Sequence, residues 1–192
     1  KAESEKGTFG DMYFAKANVV RRRGVPTWGV FTQKSEQGGG SLIDIGTHAL
    51  DIALYLMDNY KPKMAVGSTY DKLKNSKETA NPFGAWEVDK YDVEEAAFGY
   101  VTMKNGATII LEATWALNTT DSAGIRYMVC GTDAGVDNYN GKFKINGVCN
   151  DKMYVTEPDL SAGGVAFYEG NTSSPTVMEQ QVFINAILGK GE

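Results

Sequence analysis

The alternation of apolar and polar positions predicts strands over much of the chain. DMYFAKANVV (residues 11–20) alternates well enough for one, and the RRRGVPTWG that follows is rich in turn formers. KMAVGSTYDKL (63–73) predicts a second strand. EEAAFGYVTM–KNGA–TIILEATWA predicts a hairpin, and its Asn105-Gly106 step suits a type I′ turn, in which both central residues take positive φ. Further short strands are expected at 124–130, 134–138, 142–146 and 151–156. Two stretches follow the helical period instead. Residues 38–57 predict a long central helix, and TVMEQQVFINAILGKGE carries Val177, Phe183, Ile184, Ile187 and Leu188 at helical spacing. KAESEKGTFG reads as the last turns of a helix with a glycine exit. Residues 72–92 are polar, with Asn-Pro and Phe-Gly steps, and predict a long excursion of the kind that is often functional.

This order of elements predicts an α+β fold: a large, predominantly antiparallel, open-faced sheet with helices packed on one face. Ile109, Leu111 and Trp115 fall on one side of their strand and Ile110 on the other. A sheet apolar on both sides needs cover on both. Helices can supply one cover, and a second copy of the chain, making a homo-oligomer, is expected to supply the other. Residues 1–192 are expected to form a single domain, cut open at both ends, because a helix interrupted at residue 1 is a poor way to begin one.

Composition acts mainly by exclusion. Hydrophobic residues at 42% and charged residues at 22% argue for a sizeable core and against disorder. A net charge of −5 counts against nucleic acid as a partner, and Arg21-Arg22-Arg23 is too short a basic run to reverse that. No apolar run approaches the roughly 18 residues that would predict a membrane span, and no signal-peptide pattern opens the chain, so a cytoplasmic location is expected. Cys130 and Cys149 lie outside any C-x-x-C spacing, and His48 is the only histidine, so no metal site is expected. Two reduced thiols are the expectation, although the sequence leaves a disulfide between them open.

The candidate chemistry lies in GGGSLIDIGTHALDIALYLMD (38–58). Ser41, Asp44, His48, Asp51, Tyr55 and Asp58 recur at intervals of three and four, which makes one narrow polar stripe on a helix apolar around most of its girth. Such a stripe should face a cleft or a partner. Asp44 and His48 are i and i+4, within reach of a hydrogen bond that would fix the imidazole tautomer and suit His48 to act as a general base. Asp44 also lies in the first turn, where the helix dipole favours negative charge, and the glycines could leave room there for a ligand. A plain surface ion pair fits the same spacing. G-x-S-x-G and H-E-x-x-H are absent, and Gly38–Ser41 lacks the lysine of a phosphate loop.

GGGSLIDIGTHALDIALYLM resembles the signature helix of the Gfo/Idh/MocA oxidoreductases, whose pattern is roughly G-G-G-x-L-x-D-x-G-x-H-x-x-D. Gly38, Gly39, Gly40, Leu42, Asp44, Gly46, His48 and Asp51 meet it. The resemblance extends to GTFGDMYFAKANVVRRRG and VEEAAFGYVTMKNGATIILEATWALN, and thins after about residue 120. It implies the C-terminal substrate and oligomerisation domain of a two-domain dehydrogenase. NAD or NADP would be bound mainly by a Rossmann domain that this chain lacks, so the isolated chain should be inactive. His48 would accept the proton of a sugar or polyol hydroxyl, and Asp44 would orient it or contact substrate. Arg22, Thr27 and Trp28 would contact substrate, although a solvated basic turn and a packing tryptophan fit that segment equally. For Trp115 and Asn118 a core or sheet role is the better reading. A non-catalytic sugar or cofactor sensor on the same fold stays open, as does a glycosidase or lyase that uses NAD transiently. Loops 24–37, 72–92 and 157–175, where specificity would reside, carry no readable code.

Overall fold

The computed structural model describes residues 1–158 and 175–190. The chain divides into two compact units, Lys1–Glu157 and Pro158–Glu192. In the second unit the described element is one helix, Pro175–Ile187. Most of the 157–175 loop lies outside the described residues.

The first unit is an eight-stranded sheet. Its strands are β1 (Met12–Val20), β2 (Pro62–Tyr70), β3 (Ala96–Met103), β4 (Thr108–Thr114), β5 (Ala123–Gly131), β6 (Ala134–Asp137), β7 (Lys144–Cys149) and β8 (Lys152–Thr156). They lie in the order β2-β3-β4-β1-β5-β6-β7-β8. Only the β1–β4 pairing is parallel. The β3–β4 turn departs from the type I′ expectation. Asn105 keeps a negative φ and Gly106 alone is left-handed, at φ 93°. Gly106 N–H donates to Met103 O and the Asn105 side chain accepts from Ala107 N–H, so the turn closes as a type I turn with a glycine bulge.

Period-two alternation gives the sheet two unlike sides. Ala15, Ala17 and Val19 of β1, Ile109, Leu111 and Ala113 of β4, and Val129 of β5 are buried on one side. The helical segment packs there, as a π-helical turn at Leu42–Gly46 running into helix α1 (Thr47–Met57). Its contact row is small: Gly46, Ala49 and Ala53, with Met57 closing the end. A β-carbon on Gly46 would meet the Ala113 side chain at 3.0 Å, so helix and strand are as close as these residues permit. Leu42 and Ile43 are nevertheless exposed, at 38% and 46%. The helix is therefore less completely enclosed than its composition implies.

The 72–92 excursion is anchored rather than free. Trp86 Nε1 donates to Lys74 O at 2.8 Å, and Leu73 N–H donates to Glu95 Oε1 at 2.7 Å. Glu95 is 2% exposed, and that burial pushes its carboxyl above the usual carboxylate range. Asn81 both accepts from Val25 N–H and donates to Val25 O, which fastens the excursion to the turn after β1.

Candidate active site

The first helical turn is held from outside the helix. Glu94, just before β3, accepts from Gly40 N–H through Oε2 at 2.9 Å and from Leu42 N–H through Oε1 at 3.0 Å. Its backbone carbonyl takes Ser41 N–H. A β-carbon on Gly40 would lie 2.0 Å from that carbonyl oxygen, so the position admits no side chain. The free N–H groups that would draw an anionic ligand to the helix start are thus already satisfied by the protein's own carboxylate. The glycines serve close packing here, not a ligand.

The polar stripe emerges from the core along its length. Ser41 is fully buried and donates to Ala113 O at 3.1 Å. Asp44 is half-buried, and His48, Asp51 and Tyr55 are exposed. Asp44 and His48 share one cleft but do not hydrogen-bond to each other. The Asp44 carboxylate instead accepts from Trp115 Nε1, through Oδ2, at 2.7 Å. Spacing brings i and i+4 close, but the bond goes to the donor with better geometry, which arrives from the end of β4.

Three segments close a cavity of about 350 Å³ over the Asp44–His48 turn. Arg21 extends from β1, Trp28 and Phe31 from the turn after it, and Phe83 from the excursion. The Trp28 ring meets Phe83 and Phe31 edge-on, at centroid separations of 4.9 and 5.7 Å. It is 53% exposed, so one face remains open. The volume suits a small molecule, and an aromatic wall beside a carboxylate, an imidazole and a guanidinium suits a polyhydroxylated one.

Of the three proposed substrate contacts, only Trp28 lines this cleft. Arg22 is exposed and does not line the cleft, and its backbone N–H donates to Ser122 Oγ at 3.1 Å. Arg21 has the place assigned to Arg22, because the alternation of Ala15, Ala17 and Val19 continues one step past the strand. Its Nη1 is steadied by Gly24 O at 3.1 Å. Arg23 is spent on the fold, bonding Thr79 O and Asn118 Oδ1. Thr27 donates through its hydroxyl to Phe83 O, tying the two cleft loops together without lining the space.

A larger cavity, about 390 Å³, lies on the other flank of the same turn and is lined by Lys34, Tyr70, Asp71, Asp92 and Glu94. Its carboxylates are committed: Glu94 to the helix start, Asp92 to Lys34 N–H at 2.6 Å, and Asp71 to Lys74 at 2.7 Å. Among the described residues no group of three or more His, Cys, Asp or Glu side chains is placed to hold a metal ion. Both cysteines are free thiols. Among the described residues no helix is long and apolar enough to cross a membrane.

Known proteins share this fold. The chain is 40% identical over 129 residues to D-glucoside 3-dehydrogenase of Escherichia coli (strain K12), an alignment covering 67% of this chain and 36% of that protein. Its fold matches a levoglucosan dehydrogenase solved with NADH and L-sorbose, at 19% identity and a TM-score of 0.74, over 100% of this chain and 53% of that one. It likewise matches an NAD binding oxidoreductase from Klebsiella pneumoniae, at 16% identity and a TM-score of 0.75, over 100% and 54%. The chain therefore spans about a third of the curated relative's length and about half of each solved structure. The GFO/IDH/MocA C-terminal domain family matches residues 1–137, the stretch that holds β1, the Asp44–His48 helix and the β3–β4 hairpin. The chain belongs to the GFO/IDH/MocA C-terminal domain family.

Proposed function

We propose that the full-length protein is a dehydrogenase that oxidises a hydroxyl of a sugar or polyol with NAD or NADP, and that this chain is its substrate-binding half. The observation that carries the reading is the placement of Asp44 and His48 together on an aromatic-walled cleft, in a chain of this family that is 40% identical to a D-glucoside 3-dehydrogenase. His48 takes the hydroxyl proton and returns it in the reverse direction. It is exposed toward the cleft, as a group exchanging protons with a bound hydroxyl must be. Asp44 accepts a second hydrogen bond from the sugar. Arg21 donates to its oxygens and Trp28 covers an apolar face of the ring.

The described residues make no dinucleotide cradle. The one glycine-led helix start is filled by Glu94, and no strand–G-x-G-x-x-G–helix unit is present. The nicotinamide supplies the hydride acceptor when bound, and in this reading other parts of the full-length protein hold it. Exposed Leu42 and Ile43, beside Asp44, suit burial against those parts, and the isolated chain should be inactive.

The sheet side away from the helix carries exposed Met64, Val66, Tyr70 and Tyr100. We assign it to homo-oligomerisation, which supplies the cover an apolar sheet face requires. The two free thiols favour a cytoplasmic setting.

The test is a panel of glucosides and polyols offered to the full-length protein with NAD⁺ or NADP⁺. Growth of the reduced-nicotinamide absorbance on a glucoside is the expected result. Sugar binding with no absorbance change on any member would overturn the reading in favour of a sensor.

A further inference from the structure

The Asp44 carboxylate has a partner that neither its motif nor its spacing announces. Trp115 is completely buried, and its indole N–H, which can only donate, ends 2.7 Å from Asp44 Oδ2. Nothing else in the unit competes for that proton. The donor is rigidly placed: Trp115 lies one residue past β4, on the side that Ile109, Leu111 and Ala113 turn toward the helix. Its own backbone N–H is fixed to Glu95 O at 2.7 Å. The acceptor is less constrained, because Asp44 opens on the cleft and Oδ1 has no hydrogen-bond partner among the described residues.

We infer that Trp115 is a positioning residue: its indole N–H locks the Asp44 carboxylate in one rotamer, so that Oδ1 is presented to a substrate hydroxyl. The inference rests on the sugar-dehydrogenase reading and deepens it. It also divides the labour of the Asp–His pair. Asp44 is oriented by Trp115 and acts on the sugar, while His48 handles the proton without a carboxylate bonded to it. A hydrogen bond to an ionised acceptor is shorter and stronger than a neutral one, and in a half-buried place it outcompetes a water that would let the carboxylate turn. Rotating Oδ1 away would leave the sugar hydroxyl unanchored and the reacting carbon misplaced, which costs turnover more than it costs binding.

Two measurements on the full-length protein test this. The first needs no activity. With the tryptophans ¹⁵N-labelled, the indole N–H signal of Trp115 is assigned by its loss in Trp115→Phe. The Trp115 signal should lie downfield and exchange slowly with solvent, and Asp44→Ala should move it upfield and speed its exchange. A signal indifferent to Asp44→Ala overturns the bond itself. The second is a double-mutant cycle on kcat and KM for the best substrate. Trp115→Phe keeps an aromatic ring and removes the donor, and should lower kcat about 10- to 100-fold with the KM for nicotinamide cofactor unchanged. In an Asp44→Ala background the same change should cost almost nothing further, because its route is already cut. Equal losses in both backgrounds would mean that Trp115 only supports the fold, and would overturn the inference. Wild-type protein inert on every sugar would instead defeat the dehydrogenase reading, leaving the indole measurement to decide the bond alone.

Discussion

The two sides of the sheet are made from alternate residues of the same strands, yet they have opposite characters. On the helix side, Ala15, Ala17, Val19, Leu111 and Ala113 are small or aliphatic and buried, and the rows end at Arg21, which lines the cleft, and at buried Trp115, which bonds Asp44. On the other side, one step along each strand, lie Lys16, Ile110, Tyr100 and Met128 in one register row. Here the Lys16–Glu112 ion pair spans 3.0 Å between half-exposed side chains, and Tyr100 is 42% exposed. A single step in the sequence thus separates packing that fixes a site from a surface open to a partner. That is the lesson of alternation when both faces of a sheet are used.

The largest break in this contrast should come from Gly40→Ala. The added carbon strikes the Glu94 carbonyl, which is backbone and cannot give way cheaply. A loss of about 3 kcal/mol in denaturant unfolding is expected, with the cleft disordered and activity lost along with it. A wild-type midpoint would show that the helix start is not held in this way. On the opposite side, Tyr100→Asp places a charge among exposed Met64, Val66 and Tyr70. It should weaken self-association by about 2 kcal/mol in sedimentation equilibrium while leaving the thermal midpoint of the unit nearly unchanged. If the wild type sediments as a monomer at micromolar concentration, the interface assignment fails.

Arg21 and Arg22 sharpen the comparison at the scale of one residue. Arg21→Ala should raise the KM for the sugar by about tenfold, near 1.4 kcal/mol, whereas Arg22→Ala should leave it unchanged. The reverse ranking would contradict the alternation argument. The smallest effect concerns Glu95. Burial holds its carboxyl above the usual range, so the native state binds that proton more tightly than the unfolded chain does. Its contribution to stability is therefore present at low pH and is lost as pH rises from the ordinary carboxylate range through the raised value. Glu95→Gln should flatten the melting temperature against pH across that window, and an unaltered profile would contradict it.

Much of the architecture was legible because alternation and helical spacing are local. The strands expected at 124–130, 134–138, 142–146 and 151–156 each fall on an observed strand, and the helix at 38–57 contains the observed helical segment. What escaped had long-range causes or no compositional mark. A π turn at Leu42–Gly46 differs from an α turn by one residue in its hydrogen bonding, and no side chain announces it. The type I′ reading of Asn105-Gly106 failed because the asparagine side chain found Ala107 N–H and needed no left-handed backbone. In the cleft, Asp44 and His48 were visible as a spacing, but the donor to Asp44 comes from 71 residues away. Phe83 is held against Trp28 by contacts that span 56 residues, Asn81 with Val25 and Thr27 with Phe83 O. Arg21 could have been found, since it keeps the parity of Ala15, Ala17 and Val19. Arg22 has the opposite parity and turns away from the cleft.

The central claim is that the Asp44–His48 cleft carries out the proton half of a sugar oxidation. Its most direct test is the initial rate of cofactor reduction by full-length protein, wild type against His48→Asn, on the best glucoside with saturating NAD⁺ or NADP⁺. We predict a fall in kcat of about 10²- to 10⁴-fold with the affinity for reduced cofactor preserved. Turnover by His48→Asn at the wild-type rate on that substrate would contradict the account.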